Sequence, residues 1–188
     1  MNSPFLDLVR QRQSHRAYGS DPVDRDKIER CLEAARLAPS ACNAQPWTFV
    51  VVDQPELKDK LADCTADSVI PLNHFTKQAP VHIVLVVEQP NISARFGAVV
   101  RNRPFPWIDM GIAAEHLCLQ ATEEGLGTCI LGWFHEKKVK SLLSIPANRR
   151  VGLIITMGYP TQDPVRAKTR KPLDDIVRWN SYTAQHCK

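Results

Sequence analysis

The chain has 188 residues, 44% hydrophobic and 23% charged, an ordinary balance for a globular protein and enough length for one sizeable core. Its formal charge of +4 is mild and dispersed, without the basic block of a nucleic-acid tail, so anionic small molecules are the expected partners. No apolar run approaches the roughly 18 to 20 residues needed to span a bilayer, and Met1–Asp7 lacks the cationic and apolar regions of a signal peptide. Six cysteines without Cys-x-x-Cys spacing fit reduced thiols in a cytoplasm. The six histidines lack metal-ligand spacing, so no metal is expected.

In chain order, Ser3-Pro4 followed by Phe5, Leu6, Leu8 and Val9 predicts an N-capped helix with proline in its first turn. It runs into Arg12-Gln-Ser-His-Arg16. Two arginines four apart around a serine suit a phosphate clamp, because guanidinium donates in pairs to phosphate oxygens, but the same pair occurs on ordinary helix surfaces. The spacing of Ile28, Cys31, Leu32 and Ala35 predicts a helix over Asp24–Ala38 with Asp24 as its cap. Pro39 ends that helix, and Pro46 enforces an extended chain before a strand over Trp47–Val52. Between the prolines stand only Ser40, Ala41, Cys42, Asn43, Ala44 and Gln45. Small side chains let backbone approach a flat ligand, and the amides offer donors and acceptors; an ordinary helix-to-strand connection has the same look.

A short helix is expected from Pro55 through Leu61, and partial helix within Asp67–Gln78. The β-branched run Val81–Val87 predicts a strand covered on both faces, with His82 as a satisfied core histidine. Gln89–Pro106 lacks periodicity and mixes Arg95, Phe96, Arg101, Arg103 and Phe105 ahead of Trp107, so 89–107 reads as a lid over an anionic aromatic ligand or as a surface loop. Ile108–Glu124 is apolar almost all round, which predicts a helix buried on two sides, one against the sheet and one against a second subunit. Gly125 ends it, and a strand follows over Gly127–Gly132. Gly125-Leu-Gly127 is not a dinucleotide fingerprint, because it follows a helix and lacks the third glycine. A short helix over Glu136–Leu143, a buried strand over Arg150–Met157 and a basic run Arg166–Pro172 leading into apolar Leu173–Trp179 complete the chain. Strands interleaved with helices on both faces give one domain over 1–188, a three-layer α/β or α+β arrangement. The 161–188 tail must dock on something to be ordered.

Four stretches, Arg12-x-Ser-x-Arg16, Pro39-Ser-x-x-Asn-x-Gln-Pro-Trp47, Gly125-Leu-Gly-Thr-x-Ile-x-Gly132 and Lys168-x-Arg-Lys-Pro172, occur in the order that resembles the nitroreductase family of flavin mononucleotide enzymes. The resemblance spans nearly the whole chain, matches the family's compact members, and implies an α+β fold, a three-layer α/β/α sandwich with a mixed, mostly antiparallel sheet. It implies a homodimer with two FMN sites at the subunit interface, the flavin held non-covalently. It implies that Arg12, Gln13, Ser14 and Arg16 hold the flavin, with Lys168 and Arg170 joining Arg12 at the phosphate. Pro39, Ser40, Ala41, Asn43 and Gln45 would reach the ring from the partner, and the backbone of Ile130, Leu131 and Gly132 would lie over it. Asn73 or Lys77 would add a contact, and Arg16 would stabilise the reduced ring at N1 and O2. Trp107, Trp133 and Phe134 would wall the substrate pocket or simply pack.

The implied activity is transfer of two electrons from NAD(P)H through the flavin to a small acceptor such as a nitroaromatic or quinone, in ping-pong fashion. Specialised chemistry within the family, such as dehalogenation or flavin fragmentation, is an alternative, as is a flavin-binding sensor or storage protein without turnover. Leu131 stands where some members have a carboxylate, and Ala41-Cys42 replaces a hydroxylated pair. Cys42 and Cys129 are read as small packing residues rather than redox thiols.

Overall fold

A computed structural model describes residues 3–66, 72–88, 104–161 and 165–183. Helix α1 spans Pro4–Gln11, and Pro4 sits in the first turn, where no N–H is missed. Ser3 holds the cap position by backbone alone: its carbonyl accepts the Asp7 N–H at 3.0 Å, and its hydroxyl makes no cap bond. Helix α2 spans Arg25–Arg36 and buries Ile28, Cys31 and Ala35 on one stripe. Strand β1 spans Trp47–Val52, α3 Pro55–Thr65 and β2 Val81–Val87, with a 3-10 turn over His74–Gln78 before β2. Helix α4 runs Phe105–Glu123, β3 Gly127–Leu131, α5 Glu136–Leu142, β4 Arg150–Gly158 and α6 Leu173–Ile176.

The expected start of α4 at Ile108 is too late. Pro104 precedes the helix and Pro106 falls in its first turn, where proline costs no hydrogen bond, so Trp107 belongs to the helix rather than to a loop. The rest of the expected lid, 89–103, lies outside the described residues, as do residues 67–71 of the expected partial helix.

The strands form one sheet in the order β1-β2-β4-β3, and every strand pair is antiparallel. The mixed character expected from the sequence is limited, among the described residues, to an isolated parallel bridge between Ser14 and Thr128. Alternation along β2 divides the core. Val81, Ile83 and Leu85 pack with α2 and α4 on one face, while Val84 and Val86 pack with Leu61 and Cys64 of α3 and Val139 of α5 on the other. That gives the three layers. On α4, Met110, Ala113, Ala114, Leu117, Cys118 and Ala121 form the stripe that faces the sheet.

The segment after α1 is fastened to this sheet. The His15 N–H donates to Thr128 O at 2.8 Å on the outer edge of β3, and the Gly19 N–H donates to Tyr159 O at 2.9 Å just past β4. The Tyr18 hydroxyl lies 2.8 Å from Thr156 Oγ1 and donates to His15 O at 2.9 Å. Burial of this phenol pushes its pKa well above the ordinary range, so it stays protonated and tied in place. Gly127 makes the approach possible, because a Cβ there would sit 2.7 Å from the His15 ring. Gly127→Ala is therefore expected to cost about 1–3 kcal/mol through overpacking, read from denaturant unfolding, and to speed amide exchange at His15 while β2 stays protected.

His82 corrects a second expectation. It is fully buried between Val52 and Thr156 in the sheet, yet neither ring nitrogen has a hydrogen-bond partner. Its neighbours on that face are largely apolar, and the Thr156 hydroxyl is engaged with Tyr18. Burial, together with the Lys58 ammonium, pushes the His82 pKa down to about 4. The native state thus favours the neutral ring, and stability falls as pH drops from about 6.5 toward 4, by a total of order 3 kcal/mol. His82→Phe should remove this step from unfolding curves recorded across that range. Wild-type and variant curves that stay parallel in pH would contradict it.

Candidate functional site

Cations from both chain ends converge on one cleft. Arg12, the residue that closes α1, stands with Gln13, Ser14 and Arg16 on one wall, and Arg166, Lys168, Thr169 and Arg170 form the other, around a cavity of about 330 Å³. The backbone bonds of residues 15 and 19 to β3 and to the chain after β4 set this pairing, since they bring the start and the end of the chain side by side.

Three of the cationic side chains are held by named partners. Arg12 donates through Nε and Nη2 to the two carboxylate oxygens of Glu115 on α4, at 3.2 and 3.1 Å. Arg166 donates through its backbone N–H and its Nε to Gln13 Oε1, each at 3.1 Å, and through Nη2 to Ser14 O. Lys168 donates to Arg10 O in the last turn of α1, where the helix dipole favours a cation. Burial and the nearby charges of Arg12 and Arg170 hold the Lys168 pKa below its usual value. Like charges gathered this closely repel one another, and a bound anion relieves that repulsion. The donor set therefore fits a phosphate.

Beside the cleft runs the outer edge of β3. Thr128 O points outward to His15, and strand alternation carries the N–H and C=O of Ile130 to the same edge. The side chains of Ile130 and Leu131 enter the two cores, so what this stretch offers outward is backbone. Gly132 follows with open space where a side chain would stand. Cys129 is buried, and burial raises its thiol pKa against the opposing influence of Arg16, so it remains a packing thiol.

The 39–45 loop does not line this cleft. It forms a 3-10 turn over Ala41–Asn43, and Cys42, Asn43 and Gln45 all take positive φ, at 53°, 50° and 46°. Non-glycine residues rarely hold that conformation, and here hydrogen bonds fix it. Ala41 N–H donates to the buried Asp109 carboxylate of α4 at 3.1 Å, Gln45 N–H to Ser40 Oγ at 2.9 Å, and Gln45 Nε2 to Asn43 Oδ1 at 3.2 Å. The loop stands exposed, with Pro39, Asn43 and Gln45 open to solvent.

Other expected contacts fall elsewhere. Asn73 donates its side-chain amide to Thr65 O at 3.2 Å and Trp133 O at 3.1 Å, and so holds the chain just beyond Gly132. Lys77 pairs with Asp63 at 2.6 Å. Trp107 packs against the face of Gly152, while Trp133 is half exposed and Phe134 packs into the second core. None of these three aromatics lines the cation cleft. Two residues at the cleft escaped the sequence reading as site residues. Arg166 was visible only as part of a basic run, and Glu115 lies 103 residues from Arg12 with no local signal.

Comparison with known proteins converges on one family. The Nitroreductase family model matches residues 9–159. An NADH dehydrogenase of Thermus thermophilus is 28% identical, over 94% of this chain and 97% of that protein. An iodotyrosine deiodinase of Drosophila melanogaster is 28% identical, over 92% of this chain and 68% of that protein. The solved structure of an FMN-dependent nitroreductase from Clostridium difficile superposes with a TM-score of 0.78 at 26% identity, covering 94% of this chain and 99% of that one. With the family model spanning most of its length and the fold in agreement, the chain belongs to the nitroreductase family.

Proposed function

We propose that the protein is a homodimeric, FMN-dependent oxidoreductase that passes two electrons from NAD(P)H to a small acceptor such as a nitroaromatic or a quinone, in ping-pong fashion. The observation that carries this reading is the cleft in which Arg12, Arg16, Lys168 and Arg170 meet beside the open edge of β3. When bound, the flavin supplies the hydride and electron chemistry, and the chain binds, orients and tunes it.

In this reading Arg12, Lys168 and Arg170 hold the phosphate, whose charge is about −1.5 to −2 at neutral pH. Each charged hydrogen bond contributes about 1.5–3 kcal/mol, enough together for retention without a covalent link. Gln13 and Ser14 support the chain between phosphate and ring. Arg16, on the same wall of the cleft, would supply the positive charge that stabilises the reduced ring. The outward backbone of Ile130 and the bare Gly132 leave one face of the ring approachable by a flat substrate. Asn73, by tying Trp133 O, keeps that strand end in place.

A second copy completes the site. Phe5, Leu8, Ala34, Leu37, Ile108, Ile112 and Leu119 line an apolar groove of about 800 Å³ between α1, α2 and α4. Phe5, Leu37 and Ile108 are more than half exposed on a single chain, an apolar patch that suits burial by a partner. Leu173, Ile176, Trp179 and Tyr182 are likewise exposed beyond the basic run, as an arm that docks on the partner would require. The partner's 39–45 loop, stiffened by its internal hydrogen bonds, would then bring Ser40, Asn43 and Gln45 to the flavin. Trp107, Trp133 and Phe134 form substrate walls only in that assembly. Free cysteines among the described residues fit a reducing cytoplasm, and no described helix is long and apolar enough to cross a membrane.

Purified protein is expected to be yellow, to bleach anaerobically with NADH or NADPH, and to regain colour with a nitroaromatic or quinone. Bleached protein that no such acceptor reoxidises would defeat the reductase reading, and a product screen with halogenated phenols would separate dehalogenation from it. Arg12→Ala combined with Arg170→Ala should release the flavin while the far-ultraviolet dichroism stays unchanged. Stoichiometric flavin in that double variant would remove the phosphate assignment.

A further inference from the structure

The Arg12 guanidinium faces two demands at once. It borders the cation cleft, and it is held by both carboxylate oxygens of Glu115, at 3.2 and 3.1 Å. Glu115 is itself only partly exposed and also lines the apolar groove between α1, α2 and α4. A carboxylate beside a phosphate site is unfavourable by charge alone, since it repels the ligand and cancels one cation. Its geometry gives it a different use. The bidentate pair engages Nε and Nη2, fixes the plane of the guanidinium, and leaves the Nη1 donors for another acceptor. Arg12 would otherwise be a long side chain free to swing away from Arg170 and Lys168, whose charges oppose its approach.

We propose that Glu115 is a positioning residue for the cofactor phosphate: it holds Arg12 oriented into the cleft, and it reaches there from the face on which the second subunit seats. This rests on the flavin reading above and extends it, because Glu115 lines the groove and at the same time holds an arginine of the cleft. Subunit association packs the groove around Glu115, so the Arg12 fork is held most firmly in the dimer. Flavin retention and association are thereby coupled through one ion pair.

Charge and positioning predict opposite signs, which makes the idea testable on the full chain. Removing a negative charge from the cleft by itself tightens binding of an anionic ligand, whereas loss of an orienting partner weakens it. FMN binding is measured by quenching of flavin fluorescence for wild type, Glu115→Gln and Glu115→Ala, with riboflavin as the phosphate-free probe. The expected result is FMN binding weakened roughly tenfold in both variants, the size of one charged hydrogen bond lost, with riboflavin binding changed far less. In an Arg12→Ala background, Glu115→Ala should add nothing further, because its effect passes through Arg12. FMN binding that is unchanged or tighter in the Glu115 variants overturns the proposal while leaving the flavin reading intact. Equal losses for FMN and riboflavin overturn it in favour of a general structural role. A wild-type chain that takes up no FMN overturns both.

Discussion

The backbone bonds that fasten residues 13–19 to the sheet are the constraint on which the candidate site depends. One joins His15 to the outer edge of β3, and another joins Gly19 to the chain leaving β4. Neither contributes much alone, about 0.5–1.5 kcal/mol each. Together they fix where the chain begins relative to where it ends. Since β3 and β4 are neighbours in the sheet, fastening the N-terminal segment to both makes the Arg12–Arg16 wall and the Arg166–Arg170 wall face each other. The cleft is a consequence of sheet order.

Such an arrangement gathers like charges, and the fold compensates locally. The Arg10 carbonyl in the last turn of α1 accepts from Lys168, Gln13 and Ser14 accept from Arg166, and Glu115 accepts from Arg12. Each contact restricts a flexible side chain, and the Glu115 carboxylate also offsets the charge of Arg12. The result is a set of donors already oriented before any ligand arrives, so less ordering entropy is spent on binding. The 39–45 loop shows the same preference for prior order: its positive φ angles are unfavourable, and the bonds from Ala41 to Asp109 and from Gln45 to Ser40 hold them.

Much of the fold was legible from local pattern. β1 and β2 appear with the boundaries their β-branched runs and flanking prolines imply, because both are paired in the sheet interior or against it and need no distant partner to explain their composition. The start of α4 was misread because Pro104 and Pro106 look like breakers, yet a first turn tolerates them. His82 was placed correctly in the core, but its lack of hydrogen-bond partners depends on what the neighbouring strands present, which no local window contains. In the cleft, the cations that motif resemblance picks out, Arg12, Arg16, Lys168 and Arg170, do line one cavity. Arg166 and Glu115 were missed for different reasons: the first is one arginine within a basic run, and the second acts only through a contact formed by folding.

In the proposed dimer, one subunit's cationic cleft and the other's proline-bounded loop make a single cofactor site. Subunit mixing tests it directly. Chains carrying Arg12→Ala with Arg170→Ala are mixed with chains carrying Asn43→Ala with Gln45→Ala, under conditions that allow exchange, and bound flavin is measured by absorbance. Each variant alone should retain little flavin and the mixture should regain it, because a mixed pair contains one intact cleft facing one intact loop. A mixture that binds no more flavin than its parents, with mixed pairs confirmed by native mass spectrometry, would contradict it.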